Sequence, residues 1–276
     1  MPLRTLALGV LFGEPFVTTE IPPTPVASHR LNKRVAFEQG CSRTDAEALI
    51  LGGWVQVDGR VVELPQERVY PKQTVTVKAG AKVEPLQPVT LVWHKPAGVL
   101  LPEAAVWPDP FALDVVGERQ RWKQDPTQQR WVRAHIHKLM AVSPLAELSS
   151  GLMVLTQREG VARKATDRWA PLEDEWLVEV APDKRLKDPD ERESVLRSLK
   201  AAVSWHDEPL DRARASWQSE LRLRLAIHGT RLGQVAYLCE RAKLSITAVR
   251  RQRMGRVSLA GLPVGQWRYL APQEKL

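Results

Sequence analysis

A chain of 276 residues, 43% of them hydrophobic and 26% charged, is long enough to bury one large core or two modest ones. Its 40 basic residues outweigh 32 acidic ones, and the net charge of +8 points to a polyanionic partner, RNA or DNA ahead of an anionic membrane surface. No apolar run reaches the roughly 18 residues that a membrane-spanning helix needs, which excludes an integral helical membrane protein.

Residues 1–29 read as an extension. Leu6–Phe12 is apolar, but only Arg4 precedes it and no small-residue cleavage site follows, so it is an ordinary segment rather than an export signal. Ile21-Pro22-Pro23-Thr24-Pro25 is a stiff linker. Cys41 and Cys239 lie too far apart for metal-ligand spacing and read as buried reduced thiols of a cytoplasmic protein.

From Arg30 the sequence becomes organised. Arg30–Phe37 is predicted as a short helix closed by Gly40, with Lys33 and Arg34 exposed. Ser42 is a strong cap for a second helix because Asp45 stands at its third position, and Ala46, Leu49 and Ile50 give that helix its apolar face. Gly52-Gly53 ends it. Trp54–Val57 and Arg60–Val62 flank Asp58-Gly59, the signature of a hairpin with a primed turn. Val69–Lys78 is read as one strand and Pro85–Pro88 as a linker, giving domains at 30–88 and 89–276.

In the second domain Thr90–Trp93 is a strand and His94–Val99 a turn. Leu113–Lys138 interleaves Arg119, Arg121, Lys123, Arg130, Arg133 and Lys138 with Trp122 and Trp131. Guanidinium and indole groups together suit stacking on bases and contacts to phosphates; the same pattern would serve a basic loop anchored by its tryptophans. His135-x-His137 is weak evidence for a metal, and none is expected. Ser149-Ser150-Gly151 is predicted as a tight turn before a strand at Leu152–Leu155. Glu159–Trp169 is predicted as a helix stopped by Pro171, and Glu175–Val180 as a strand. Asp188 caps a helix with Pro189 at its first position, buried through Val195, Leu196, Leu199 and Val203. Strict alternation makes Leu221–Ile227 a strand with Arg222 and Arg224 on its outer face. Between positions 241 and 256 there are six basic and no acidic residues, among them Arg250, Arg251, Arg253 and Arg256. The elements sum to an α+β protein: a small helical domain with a hairpin, then a mixed, mainly antiparallel sheet with packed helices.

Several of these stretches carry a family likeness. Arg30–Pro88 resembles the α-L RNA-binding domain of the S-four type, with Arg-Leu-Asn-Lys and Cys-Ser-Arg as its marks; the resemblance puts Arg30, Lys33, Arg34 and Arg43 on an RNA face. Lys95-Pro96-Ala97-Gly98, the Leu145…Ser150-Gly151-Leu152 frame and the run Arg251-x-Arg253-Met254-Gly255…Trp267-Arg268 resemble the bacterial ribosomal RNA pseudouridine synthases of the RsuA type over roughly residues 30–272. Such enzymes use an aspartate nucleophile, a tyrosine packed on the base and an arginine paired with the aspartate, and need no cofactor. Here those positions read Ala146, Trp176 and Ala236. A methyl group cannot replace a covalent nucleophile.

The resemblance therefore implies an RNA-binding protein on a synthase scaffold, with ribosomal RNA or a ribosomal subunit as the leading partner, no membrane partner, and a monomer favoured. Two alternatives stay open. One is an active uridine-to-pseudouridine isomerase with a rearranged site built on Glu147; the other is a protein-interaction module that uses some of the ten tryptophans.

Overall fold

The structure is a computed structural model that describes residues 28–167, 172–205 and 207–276. The chain divides between Glu84 and Pro85 into two compact units. The linker Ile21–Pro25 lies outside the described residues.

In the first unit β1 (His29–Arg30) runs into α1 (Leu31–Gln39), followed by α2 (Arg43–Leu51), β2 (Val55–Val57), β3 (Arg60–Val61), β4 (Arg68–Val69) and β5 (Val75–Val77). The predicted capping box forms as read: Ser42 Oγ accepts from Asp45 N–H, and the Asp45 carboxylate accepts from Ser42 N–H. Gly40 ends α1 in the left-handed region at φ 62°, which a residue without Cβ enters freely. Asp58 and Gly59 both have positive φ, as the hairpin between β2 and β3 requires. The strand expected over Val69–Lys78 is broken: Tyr70-Pro71-Lys72-Gln73 forms a turn between β4, which pairs β1, and β5, which pairs β2. Pro71 has no N–H for a ladder, so the break falls there. Leu31, Val35, Ala46, Leu49, Ile50, Val55 and Val57 close the core, and Cys41 is half-buried beside it rather than fully buried.

The second unit contains β6 (Thr90–Lys95), α3 (Asp109–Val116), β7 (Met140–Val142), β8 (Ser149–Thr156), α4 (Glu159–Ala165), β9 (Glu173–Val180), α5 (Pro189–Lys200), β10 (Val203–Trp205), β11 (Glu208–Leu210), β12 (Arg214–Trp217), β13 (Arg222–His228), α6 (Gln234–Arg241), β14 (Ile246–Met254), β15 (Val257–Ser258) and β16 (Trp267–Tyr269). Its main sheet runs β12-β13-β9-β14-β8-β6-β16, with β15 and β7 paired at β14 and β8. Among the described residues, the β14–β8 pairing is the only parallel one between its strands. Alternation sends Leu91, Trp93, Met153 and Leu155 into one core and Val92, Leu152 and Val154 into the other, so the sheet is covered on both faces.

Three expectations change here. Ser149–Gly151 belong to β8 instead of a turn, because each pairs with a residue of β14, Val249 to Arg251. Val203 lies in β10, beyond the end of α5 at Lys200. The helix predicted to run to Trp169 ends at Ala165, and its expected stop at Pro171 lies outside the described residues.

Candidate active site and RNA-facing residues

Residues 143–148, around Ala146, form a loop held at both ends. Lys95 has no exposed surface, and its ammonium donates to the carbonyls of Pro96, Glu147 and Ser149 at 2.9–3.0 Å. Burial pulls its pKa down to about 8 against the pull of Glu147, so it stays largely charged at neutral pH. Gly98 N–H also donates to the Glu147 carbonyl, and Ser149 N–H to the Ala146 carbonyl. On the other side Ser143, left-handed at φ 49°, is gripped by Arg251. Nη1 of Arg251 donates to Ser143 Oγ at 2.9 Å, Nη2 to Ser143 O at 2.7 Å, and Nε to Leu152 O at 2.8 Å.

Ala146 is exposed at the wall of a cleft of about 60 Å³. Trp176, Thr230, Ala236 and Arg251 line the same cleft. The space is well below the roughly 300 Å³ at which small-molecule sites begin. Trp176 is buried, and its indole N–H donates to Thr230 Oγ1 at 3.2 Å, where a tyrosine would bring a phenol. Its ring lies 5.3 Å from the Arg251 guanidinium carbon. Glu147 does not line the cleft; its side chain is exposed and its carbonyl is the atom the loop uses.

Arg251 is fully buried, so the expectation that it contacts RNA from a surface strip is corrected. Its charge faces Asp174, with 3.5 Å between Nη1 and Oδ2. Burial raises the pKa of Asp174, and Arg251 opposes that shift. Sequence reasoning passed over Asp174 as an element of the site. Asp174 also borders an adjoining hollow of about 460 Å³ that shares Ser143, Thr230 and Arg231 with the cleft.

Other predicted RNA contacts also turn inward. Arg121 donates to the Asp125 carboxylate at 2.9 Å and to Gln129 O at 2.8 Å, and lies 4.9 Å over the Tyr269 ring. It builds the loop rather than facing solvent, because those acceptors are in its own segment. Arg253 is half-buried between Glu173 and Glu175. Arg250 is half-buried as well. Trp122 and Trp131 pack against the two cores, which makes Leu113–Lys138 a basic stretch anchored by its tryptophans. Arg119, Lys123, Arg130, Arg133, Lys138 and Arg256 are exposed. In the first unit Arg30, Lys33 and Arg43 are exposed, while Arg34 spends its donors on Tyr70 O, Gln73 O and Glu38. The paired histidines separate: His135 is buried against Tyr269, and His137 is exposed beside Asp109. Among the described residues no three His, Cys, Asp or Glu side chains are placed to hold a metal, and no helix is long and apolar enough to cross a membrane.

A mixed sheet with a loop–strand site at its parallel junction, covered by helices, is the pseudouridine synthase fold. A solved structure described as a pseudouridylate synthase superposes with a TM-score of 0.50 over 88% of this chain and 96% of that one, at 18% identity. No family model matches the chain. In sequence it is 25% identical over 253 residues to the dual-specificity RNA pseudouridine synthase RluF of Escherichia coli (strain K12), covering 91% of this chain and 78% of that one. It is 28% identical to the ribosomal large subunit pseudouridine synthase B of Bacillus subtilis (strain 168), over 89% and 93% of the two chains. An RNA pseudouridine synthase of Aquifex aeolicus (strain VF5) is 25% identical, over 89% and 94%. Fold and sequence together make the chain similar to RNA pseudouridine synthases of the RsuA type along most of its length.

Proposed function

We propose that this protein binds structured RNA, ribosomal RNA first, from the synthase scaffold and does not isomerise uridine there. The observation that carries this reading is Ala146: the loop is locked by Lys95 and Arg251 with a methyl group where the scaffold's carboxylate stands. Nucleophilic catalysis depends on placing the attacking group within well under 1 Å or so, and an exposed Glu147 on a fixed backbone does not reach that place. The exposed cations at 119, 123, 130, 133, 138 and 256, and those of an S-four-type first unit at 30, 33 and 43, supply phosphate contacts.

A second reading, an active ribosomal RNA isomerase with a rearranged site, is favoured by similarity along most of the chain to proteins named as RNA pseudouridine synthases. It needs a carboxylate from another position, and Asp174 borders the neighbouring hollow.

A pseudouridine map of ribosomal RNA from cells with and without the gene separates the two. Identical maps, together with RNA crosslinked to the protein in those cells, are expected. A site that disappears with the gene, and returns only with an intact copy, makes the protein an isomerase and retires the first reading.

A further inference from the structure

Phe37, near the end of α1, is 87% exposed and Tyr70 is 49% exposed. Neither ring serves the core of the first unit. Arg34 ties the two places together: it lies one turn before Phe37 on α1 and donates from Nη1 to Tyr70 O at 2.8 Å. Its Nη2 reaches Gln73 O at 2.7 Å, which fixes the Tyr70–Gln73 turn against the helix.

Cations frame the two rings. Lys33 and Phe37 fall at i and i+4 on one face of α1, and Arg30 stands at its N-cap. Arg30 is the register partner of Arg68 across β1 and β4, and Lys72 stands in the turn beside Tyr70; all four basic residues are exposed. Acidic neighbours are engaged elsewhere: Glu38 pairs with Arg34, Glu67 with Arg60, and Asp58 accepts from Gln73 and Thr74. The surface is left with aromatic faces in a positive field.

We propose that Phe37 and Tyr70, framed by Arg30, Lys33, Arg68 and Lys72, form a stacking site for unpaired nucleotides of an RNA loop. The inference rests on the RNA-binding reading above and adds which part of the RNA is held. Aromatic faces stack on bases only where the bases are unpaired, whereas a continuous duplex offers phosphates and hydroxyls. A lipid surface fits less well. The apolar stripe of α1, Leu31 and Val35, is already buried in the core, and an interfacial helix needs that stripe for the bilayer.

The test uses the full chain with two RNAs of equal length, a hairpin with 2-aminopurine in an unpaired loop and a fully paired duplex. The hairpin should bind more tightly, with 2-aminopurine fluorescence quenched. Phe37→Ala should weaken hairpin binding on the order of tenfold and leave duplex binding and the salt slope unchanged. Phe37→Trp should keep both affinity and quenching, and Lys33→Gln should lower the salt slope by about one contact. If the wild type binds both RNAs but Phe37→Ala changes nothing, the stacking site falls while RNA binding stands. If the wild type binds neither RNA, the RNA reading itself falls. Binding to phosphatidylserine vesicles in place of RNA, lost in Phe37→Ala, would give this surface to lipid and overturn the inference.

Discussion

Asp174 and Arg251 form an ion pair inside the second unit, 3.5 Å apart, with 4% and 1% of their side chains exposed. Arg251 also holds Ser143, so this one guanidinium joins the neutralising carboxylate to the loop that carries Ala146. A buried cation without its counter-charge is costly, typically 3–5 kcal/mol when one partner of such a pair is removed. Asp174→Asn is therefore expected to destabilise the second unit by about that much, and Arg251→Met by a comparable amount. The double variant should lose clearly less than the sum of the two. Urea unfolding of the three variants checks this; additive losses would mean the two charges do not depend on each other.

The pair also bears on what a carboxylate introduced at position 146 would meet. Ala146→Asp alone is expected to yield no pseudouridine in a ribosomal RNA transcript. Arg251 already has its carboxylate, Trp176 offers no phenol, and the cleft holds only about 60 Å³. Because Ala146 is exposed, the change should alter stability by no more than about 0.5 kcal/mol. Product from this single variant would show that the rest of the machinery had remained competent.

Much of the fold was legible because its signals are local. Ser42 with Asp45, the Asp58-Gly59 hairpin and the alternation of Leu221–Ile227 all act within a few residues, and each forms as read save that Leu221 is exposed just before β13 begins at Arg222. Arg222 and Arg224 do face away from the core, where Glu179 and Glu175 receive them across β9. The misreadings share a different cause. Ser149-Ser150-Gly151 has turn chemistry, yet pairing with β14 makes it strand, and nothing nearby in sequence announces that partner. Arg251 sits among exposed-looking cations, and only Asp174 on another strand explains why it can be buried. Ala146 was singled out by motif spacing alone; the Asp174–Arg251 pair needed the third dimension.

Gly151 gives the sharpest test of the parallel junction. Its φ is 114°, and a Cβ there would lie 2.3 Å from Arg251 O and 2.5 Å from Arg251 N. Both obstacles are backbone, so no side chain can yield. Gly151→Ala is expected to cost at least about 4 kcal/mol, the range reserved for clashes and strain that cannot relax. A fall in the urea midpoint of the second unit reads it out. A change within the ordinary 1 kcal/mol or so would mean that β8 and β14 separate easily.

His135 supplies an acid limb to stability. It is 4% exposed, and its Nδ1 lies 2.7 Å from Tyr269 Oη, in hydrogen-bonding contact. Burial, with Arg130 and Arg121 nearby, brings its pKa down to about 4 from 6.5. Between those values the unfolded chain takes up a proton that the folded chain refuses, so acid favours unfolding. The contribution is fully present above pH 6.5, is lost as pH falls toward 4, and amounts to about 3 kcal/mol at 1.36 kcal/mol per pH unit. His135→Gln keeps a polar partner for Tyr269 and removes the titration. Its stability should vary less than the wild type's between pH 6.5 and 4, at some cost near pH 7. Unfolding free energies measured across that window should converge at the acid end, and parallel curves would assign the acid sensitivity to other groups.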